Sequence, residues 1–302
     1  MSPLKPPTPP DLCTNPVARD LWWVASSTPM MTDVVRLPQL SAERQDLLRD
    51  HVLPAVRALE AMGTEDALAA VGATGWRVGH YFEALVGHWI QALPGWTLLA
   101  ANHPVRHEKQ TLGAYDFILR NSEGQVEHWE VAVKFYLRRD LGSEWRSWVG
   151  PNQRDRLDKK VNRMRDHQLV LSRREVGLAA LEPLGVSEIH RRFALLKGCF
   201  FTEWGRASTG PEGATEDAQG RWTDESQLTE LARAFPQSRW MRRDKPFWLA
   251  PFQGLSFDLD AGGLPHELRR PEMWSRLEQQ PSGDWREAER WFLVPADWRD
   301  RR

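Results

Sequence analysis

The sequence predicts an α/β protein with a layered α/β/α core, and three observations carry that reading. Residues 76–93, WRVGHYFEALVGHWIQAL, place Val78, Phe82, Leu85, Val86, Trp89 and Leu93 on one stripe at helical spacing. Residues 97–137 contain strand-length pieces, the last two joined by the polar turn NSEGQ. Residues 150–171, GPNQRDRLDKKVNRMRDHQLVL, return to the helical period with Leu157, Val161, Met164 and Leu171. Helix, strands and helix in that order give two helical layers about a mixed, largely antiparallel sheet.

The elements follow in chain order. Residues 1–20 are Pro-rich and polar and read as a disordered leader without a core. Residues 21–75 form a helical N-terminal layer: Ser41 is an N-cap for a helix kinked near Pro54, and a shorter helix covers 65–71. Residues 76–175 are the core. On its first helix Glu83 lies at the flank of the apolar stripe, beside Gly79, Val86, Gly87 and Ile90. Strands are expected at 97–101, 105–107, 112–119 and 126–137, and the next helix takes Asn152 as N-cap with Asp155 in its first turn. Residues 176–302 are a mixed α+β region packed on the core, with strands at RRFALLKGCFF and DKPFWLAP, a polar loop over 205–222 and a helix over 224–235.

Composition bounds the function. The 302 residues are 41% hydrophobic and 27% charged with a net charge of -1, so a nucleic-acid surface has to be a local patch. Two distant cysteines, Cys13 and Cys199, allow no disulfide framework or zinc finger, and no apolar run is long enough for a membrane span. A cytoplasmic protein is expected. Sixteen tryptophans against three tyrosines suggest aromatic core packing or, less directly, a carbohydrate-binding face of exposed rings. His103 and His107 are four residues apart, but Pro104 denies them a common helical face, so they are not a zinc pair. No GxSxG, Walker loop, dinucleotide fingerprint or Cys-x-x-Cys occurs.

The hairpin GAYDFILRNSEGQVEHWEVAVKFYL, residues 113–137, carries the chemistry. With a period of two, His128, Glu130, Ala132, Lys134 and Tyr136 share one face, and Trp129, Val131, Val133, Phe135 and Leu137 the other. If the turn pairs Leu119 with Glu127, Asp116 stands opposite Glu130, roughly 5 Å away at Cβ. A two-residue slip of the register would put it opposite His128 or Ala132. Two facing carboxylates repel, and a divalent cation is the simplest remedy. Magnesium, or manganese, takes one or two carboxylates and leaves positions for phosphate oxygens, and a lysine on the same face can neutralise charge developing there. The set suggests phosphodiester hydrolysis.

These residues resemble the PD-(D/E)XK nuclease superfamily, which has a restriction-endonuclease-like fold: an acid on an early helix, an Asp in YDFIL, and the acid-plus-lysine strand EVAVKFYL followed by a polar helix. The longer string YFEALVGHW, YDFIL, WEVAVKFYL and GPNQRDRLDKK, with FWLAP near the C-terminus, is similar to the bacterial family called domain of unknown function 1853. The resemblance implies Asp116 and Glu130 as metal ligands, Lys134 as the catalytic lysine and Glu83 as an accessory acid. It departs from the superfamily pattern in one respect. Ala132 occupies the usual place of the acid, and Glu130 is four residues before Lys134, so a bend or bulge would have to close the gap.

From Lys134 to Arg174 twelve Lys or Arg stand against five acids. Such local asymmetry suits phosphate attraction, with Gln153, Lys159, Lys160 and Arg163 as contacts and Trp145 and Trp148 available to stack on bases. The expectation is a magnesium-dependent nuclease acting on DNA or RNA. The alternative is a catalytically silent module of the same fold that binds nucleic acid or a protein partner through its basic helix.

Overall fold

The computed structural model describes residues 13–32, 35–140, 142, 144–206, 209–254 and 263–301. Four helices open the chain: α1 (Pro16–Ser26), α2 (Ala42–Asp50), α3 (Leu53–Glu60) and α4 (Thr64–Ala70). Ser41 caps α2 through the Arg44 N–H, and the break before Pro54 separates α2 from α3. The expected leader is corrected in its second half. Cys13, Val17 and Ala18 are core residues, and Asn15 caps α1, because α1 is apolar enough to pack against α3 and α5. Residues 1–12 lie outside the described residues.

Helix α5 (Val78–Gln91) buries Val78, Phe82, Leu85, Val86 and Trp89, as the stripe requires, and ends ahead of Pro94 and Gly95. Three long strands follow: β1 (Thr97–His107), β2 (Gln110–Arg120) and β3 (Val126–Arg138). They form an antiparallel meander in which Leu119 pairs with Glu127 and Phe117 with Trp129, the expected register. The two expected pieces of β1 are one strand that absorbs its irregularities as register shifts.

After the short β4 (Trp148–Val149) comes α6 (Leu157–Arg163), which continues through a π turn (Met164–Gln168) into Leu169–Leu171. Asn152 is not its cap and Asp155 is not in its first turn. Gly150 and Val149 bond back to Asp155 and Arg156, and that local pairing holds the chain out of the helix until Leu157.

The remaining strands, β5 (Arg191–Glu203), β6 (Gln219–Asp224), β7 (Arg239–Arg242), β8 (Gln253–Gly254), β9 (Glu272–Gln279) and β10 (Trp285–Val294), extend the same sheet. Among the described residues it has ten strands, with the main order β1-β2-β3-β5-β6-β10-β9-β7. β5 runs parallel to β3, which makes the sheet mixed. The expected strand at DKPFWLAP is a loop. Its carbonyls at Phe247, Trp248, Leu249 and Ala250 accept from the buried Arg243 and Arg290, so they need no strand partner.

β3 is buried on both faces, with α5 over Trp129, Val131, Val133 and Phe135, and α6 over Ala132 and Tyr136. Trp129 meets Trp89 and Trp96 edge to face at 5.9 and 6.0 Å. The tryptophans serve mainly as core: Trp76 is the one with a widely exposed ring among the described residues, at 76%. Trp148 is fully buried and Trp145 donates to the Glu212 carbonyl, so the expected stacking role fails for Trp148.

Candidate functional site

Beyond the Phe117–Trp129 pair, towards the N-terminus of β2 and the C-terminus of β3, the two strands stop exchanging backbone hydrogen bonds. Asp116 fills the gap: its Oδ2 accepts the Val131 N–H at 2.8 Å. An acid therefore stands in an apolar strand partly because it substitutes for a lost ladder bond. Its carboxylate also lines a cavity of about 350 Å³ together with Glu83, Lys134, Asp155, Lys159, Lys160, Arg163 and Gln168. Helix α5 brings Glu83, β2 brings Asp116, β3 brings Lys134, and the segment from Asp155 to Gln168 supplies the opposite wall.

Glu130 is held differently. It is fully buried and absent from the cavity lining; Oε1 meets His128 Nε2 at 2.7 Å and Oε2 accepts from the Gln168 amide. His128 Nδ1 in turn lies 3.0 Å from Ser172 Oγ, which also accepts from Arg192. The carboxylates of Asp116 and Glu130 nonetheless lie within reach of one shared proton. Burial and then repulsion by Glu130 push Asp116 up to about 7, and burial pushes Glu130 up to about 7. Burial, followed by the charge of Asp116, also raises Glu83. His128 is driven down to about 3 by burial, so it is a neutral ring in this network.

Lys134 donates to Asp155 Oδ2 at 2.5 Å, and Asp155 Oδ1 accepts the Arg156 N–H at 2.9 Å. No bulge draws Glu130 towards Lys134, because β3 stays in unbroken register with β5 from Glu127 to Leu137. The carboxylate beside the lysine is Asp155, which comes from the loop before α6. Gly198 makes the close strand pairing possible: at φ +136° a Cβ there would fall 1.7 Å from the Lys134 carbonyl oxygen. Lys160 lies over the carboxylates and donates to Gln168 Oε1 at 3.3 Å. Its pKa is lowered by burial and by Lys134, and is held up by Asp116, Glu130 and Asp155.

Of the expected site residues, Glu83, Asp116, Lys134, Lys159, Lys160 and Arg163 line one cavity. Gln153 lies in the adjoining basic cavity of about 510 Å³, with Arg139, Arg146, Arg154, Arg156 and Lys159. Sequence reasoning missed the site roles of Asp155 and Gln168. Asp155 looked like an ordinary first-turn acid, and nothing local tells that Lys134 is its partner. His103, in β1, lies 2.9 Å from the Ala180 carbonyl through Nε2 and joins no cluster.

Among the described residues no three His, Cys, Asp or Glu side chains come together as a ready-made metal cluster. Two neighbouring carboxylates still fit magnesium, which accepts one or two protein oxygens and fills its other positions with water and phosphate.

Among the described residues no helix is long and apolar enough to cross a membrane. The family described as Domain of unknown function (DUF1853) matches residues 19–294. No curated protein and no solved structure matches the chain.

Proposed function

This chain belongs to the DUF1853 family, and we propose that it is a magnesium-dependent nuclease of the PD-(D/E)XK superfamily, hydrolysing phosphodiester bonds in DNA or RNA. The observation that carries the reading is the cavity lined by Asp116, Glu83, Lys134, Lys159, Lys160 and Arg163, which has Lys159 in common with a neighbouring arginine-lined cleft. A carboxylate pair at the end of a basic cleft suits a phosphate that is first attracted and then attacked. The order of helix, three antiparallel strands and helix agrees with the layering the resemblance implies.

Asp116 at the cavity wall, with Glu130 behind it, would hold magnesium or manganese, and the bound ion would supply Lewis-acid activation of the phosphate. Lysine and arginine side chains do the rest. Lys159 and Arg163, both exposed, bind the incoming phosphates. Lys134 neutralises charge on the phosphoryl oxygens once a phosphate competes with Asp155 for it. Glu83, raised above the usual carboxylate value by burial and by Asp116, is placed to exchange a proton at the cavity wall.

One observation favours the second reading, a silent nucleic-acid-binding module: Lys134 is already engaged by Asp155, and Glu130 by His128 and Gln168. End-labelled single- and double-stranded DNA and RNA, incubated with magnesium, manganese or chelator, separate the two. The nuclease reading expects metal-dependent cleavage that Asp116→Asn and Lys134→Ala both abolish while remaining folded. Binding without cleavage under every metal condition would establish the module instead.

A further inference from the structure

The carboxylate cavity adjoins a second one, of about 590 Å³, and Glu83 lines both. The two differ in charge. The basic cleft reaches the carboxylates from the Lys159 side and brings four arginines with it. Among the described residues that line the Glu83-side groove, none is Lys or Arg.

The groove lies over α5 and β1. Gly87 opens its floor, where the Phe117 ring comes within 3.5 Å of the position a Cβ would take. His80, His88 and Asn102 offer polar groups along its walls. Asn102 holds φ +50° within β1 and lines the groove beside Glu83, the residue the groove has in common with the carboxylate cavity. Trp76 stands on the loop that also brings Thr74 to the groove, and its ring is 76% exposed.

A strand threading through both arms would carry phosphates into each, and both arms would need cations. One basic arm and one neutral arm fit a strand whose phosphates stop at the site. We infer that the neutral groove receives the terminal nucleoside of a nucleic-acid strand, so that the protein acts at strand ends; this rests on the nuclease reading for its chemistry. A recess of this volume without Lys or Arg suits a single nucleoside, with the His80 and His88 imidazoles and Asn102 offering hydrogen bonds along its walls and the exposed Trp76 on the neighbouring loop, outside the lining, available to stack. Hydrolysis there adds water across the last phosphodiester: the water oxygen bonds to phosphorus, the ester P–O bond breaks, and the leaving oxygen takes the proton. The product is released one terminal unit at a time.

The test compares linear and circular single strands of one sequence, as DNA and as RNA. Binding is measured in chelator and cleavage in magnesium or manganese. Wild type is set against Ala101→Trp and Ala70→Trp, two exposed lining positions at which an indole fills the groove. Far-UV circular dichroism verifies that both variants are folded. The expected result is linear strand bound about tenfold tighter than circle, products shortening from one end, and both variants losing the end preference while binding circles normally. Circles bound and cut as well as linear strands, or folded variants that keep the preference, overturn the assignment and leave the nuclease reading intact. A clear end preference in binding with no cleavage removes the nuclease reading and supports the groove as an end-binding site.

Discussion

Replacing Asp116 by Asn tests the carboxylate pair without any substrate. The amide oxygen can still accept the Val131 N–H, and the NH2 can donate to Glu130, so the local bonds survive while one charge is removed. Asp116 is raised by burial and by Glu130 from 3.8 to about 7. A raised carboxyl pKa means that the folded state holds its proton longer than the unfolded state. The stabilising contribution is complete below the unfolded value and is lost as pH rises through the folded one. At 1.36 kcal/mol per pH unit the full move corresponds to roughly 4 kcal/mol, and because the proton is shared with Glu130 about half of that is expected, ~2 kcal/mol.

The wild-type curve alone would mislead. His128, lowered by burial to about 3, contributes with the opposite sign, stability being lost as pH falls below its unfolded value of 6.5. The difference between variant and wild type largely removes that contribution. Urea denaturation of both proteins at pH 5 and pH 8.5 in chelator is the assay. Because pH 5 already lies above the unfolded value of 3.8, Asp116→Asn should exceed wild type by a little under about 1 kcal/mol at pH 5 and by about 2 kcal/mol at pH 8.5. Millimolar magnesium or manganese should then raise wild type by about 2.7 kcal/mol at a hundredfold excess over Kd and leave the variant nearly unmoved. A difference that does not grow with pH, or a variant less stable at both, would refute the shared-proton pair.

Three other outcomes are expected. Gly198→Ala should cost at least about 3 kcal/mol in denaturant melts, since its Cβ would collide with the Lys134 carbonyl and its φ of +136° disfavours any side chain. His128→Ala should cost about 2–4 kcal/mol, because it leaves the buried Glu130 and Ser172 short of a partner beside a new cavity; a loss below about 0.5 kcal/mol would mean that the ring does not hold Glu130. Lys159→Ala combined with Lys160→Ala should weaken nucleic-acid binding and reduce the magnitude of the salt slope by up to about two phosphate equivalents, read from affinities across a salt series.

The hairpin shows how far local pattern reaches. A period of two, a five-residue turn and the need to bury Trp129 favour the pairing of Leu119 with Glu127 and exclude a one-residue slip, which would turn every apolar side chain to the wrong face; a two-residue slip keeps the faces, and only the structure decides against it. The stripe on α5 is legible for the same reason: side-chain direction follows from backbone period, and the period is written in the chain. The same periods place Glu83 at the flank of that stripe and Lys134 on the β3 face away from Trp129, while their expected site roles, like that of Asp116, come from the facing-carboxylate argument and the resemblance.

What the sequence could not determine is set by approaches between distant segments. Whether Glu130 or Asp155 stands beside Lys134 depends on where the loop after β4 crosses β3, and the straight pairing of β3 with β5 denies Glu130 the bend it would need. The helix expected from Asn152 starts only at Leu157 because tertiary pairing at Val149 and Gly150 outweighs local capping. DKPFWLAP alternates like a strand, yet buried arginines from β10 and beside β7 occupy its carbonyls. Periodicity records which way a side chain points, but the partner it meets there is chosen by packing across the whole sheet, and only the tertiary structure contains that choice.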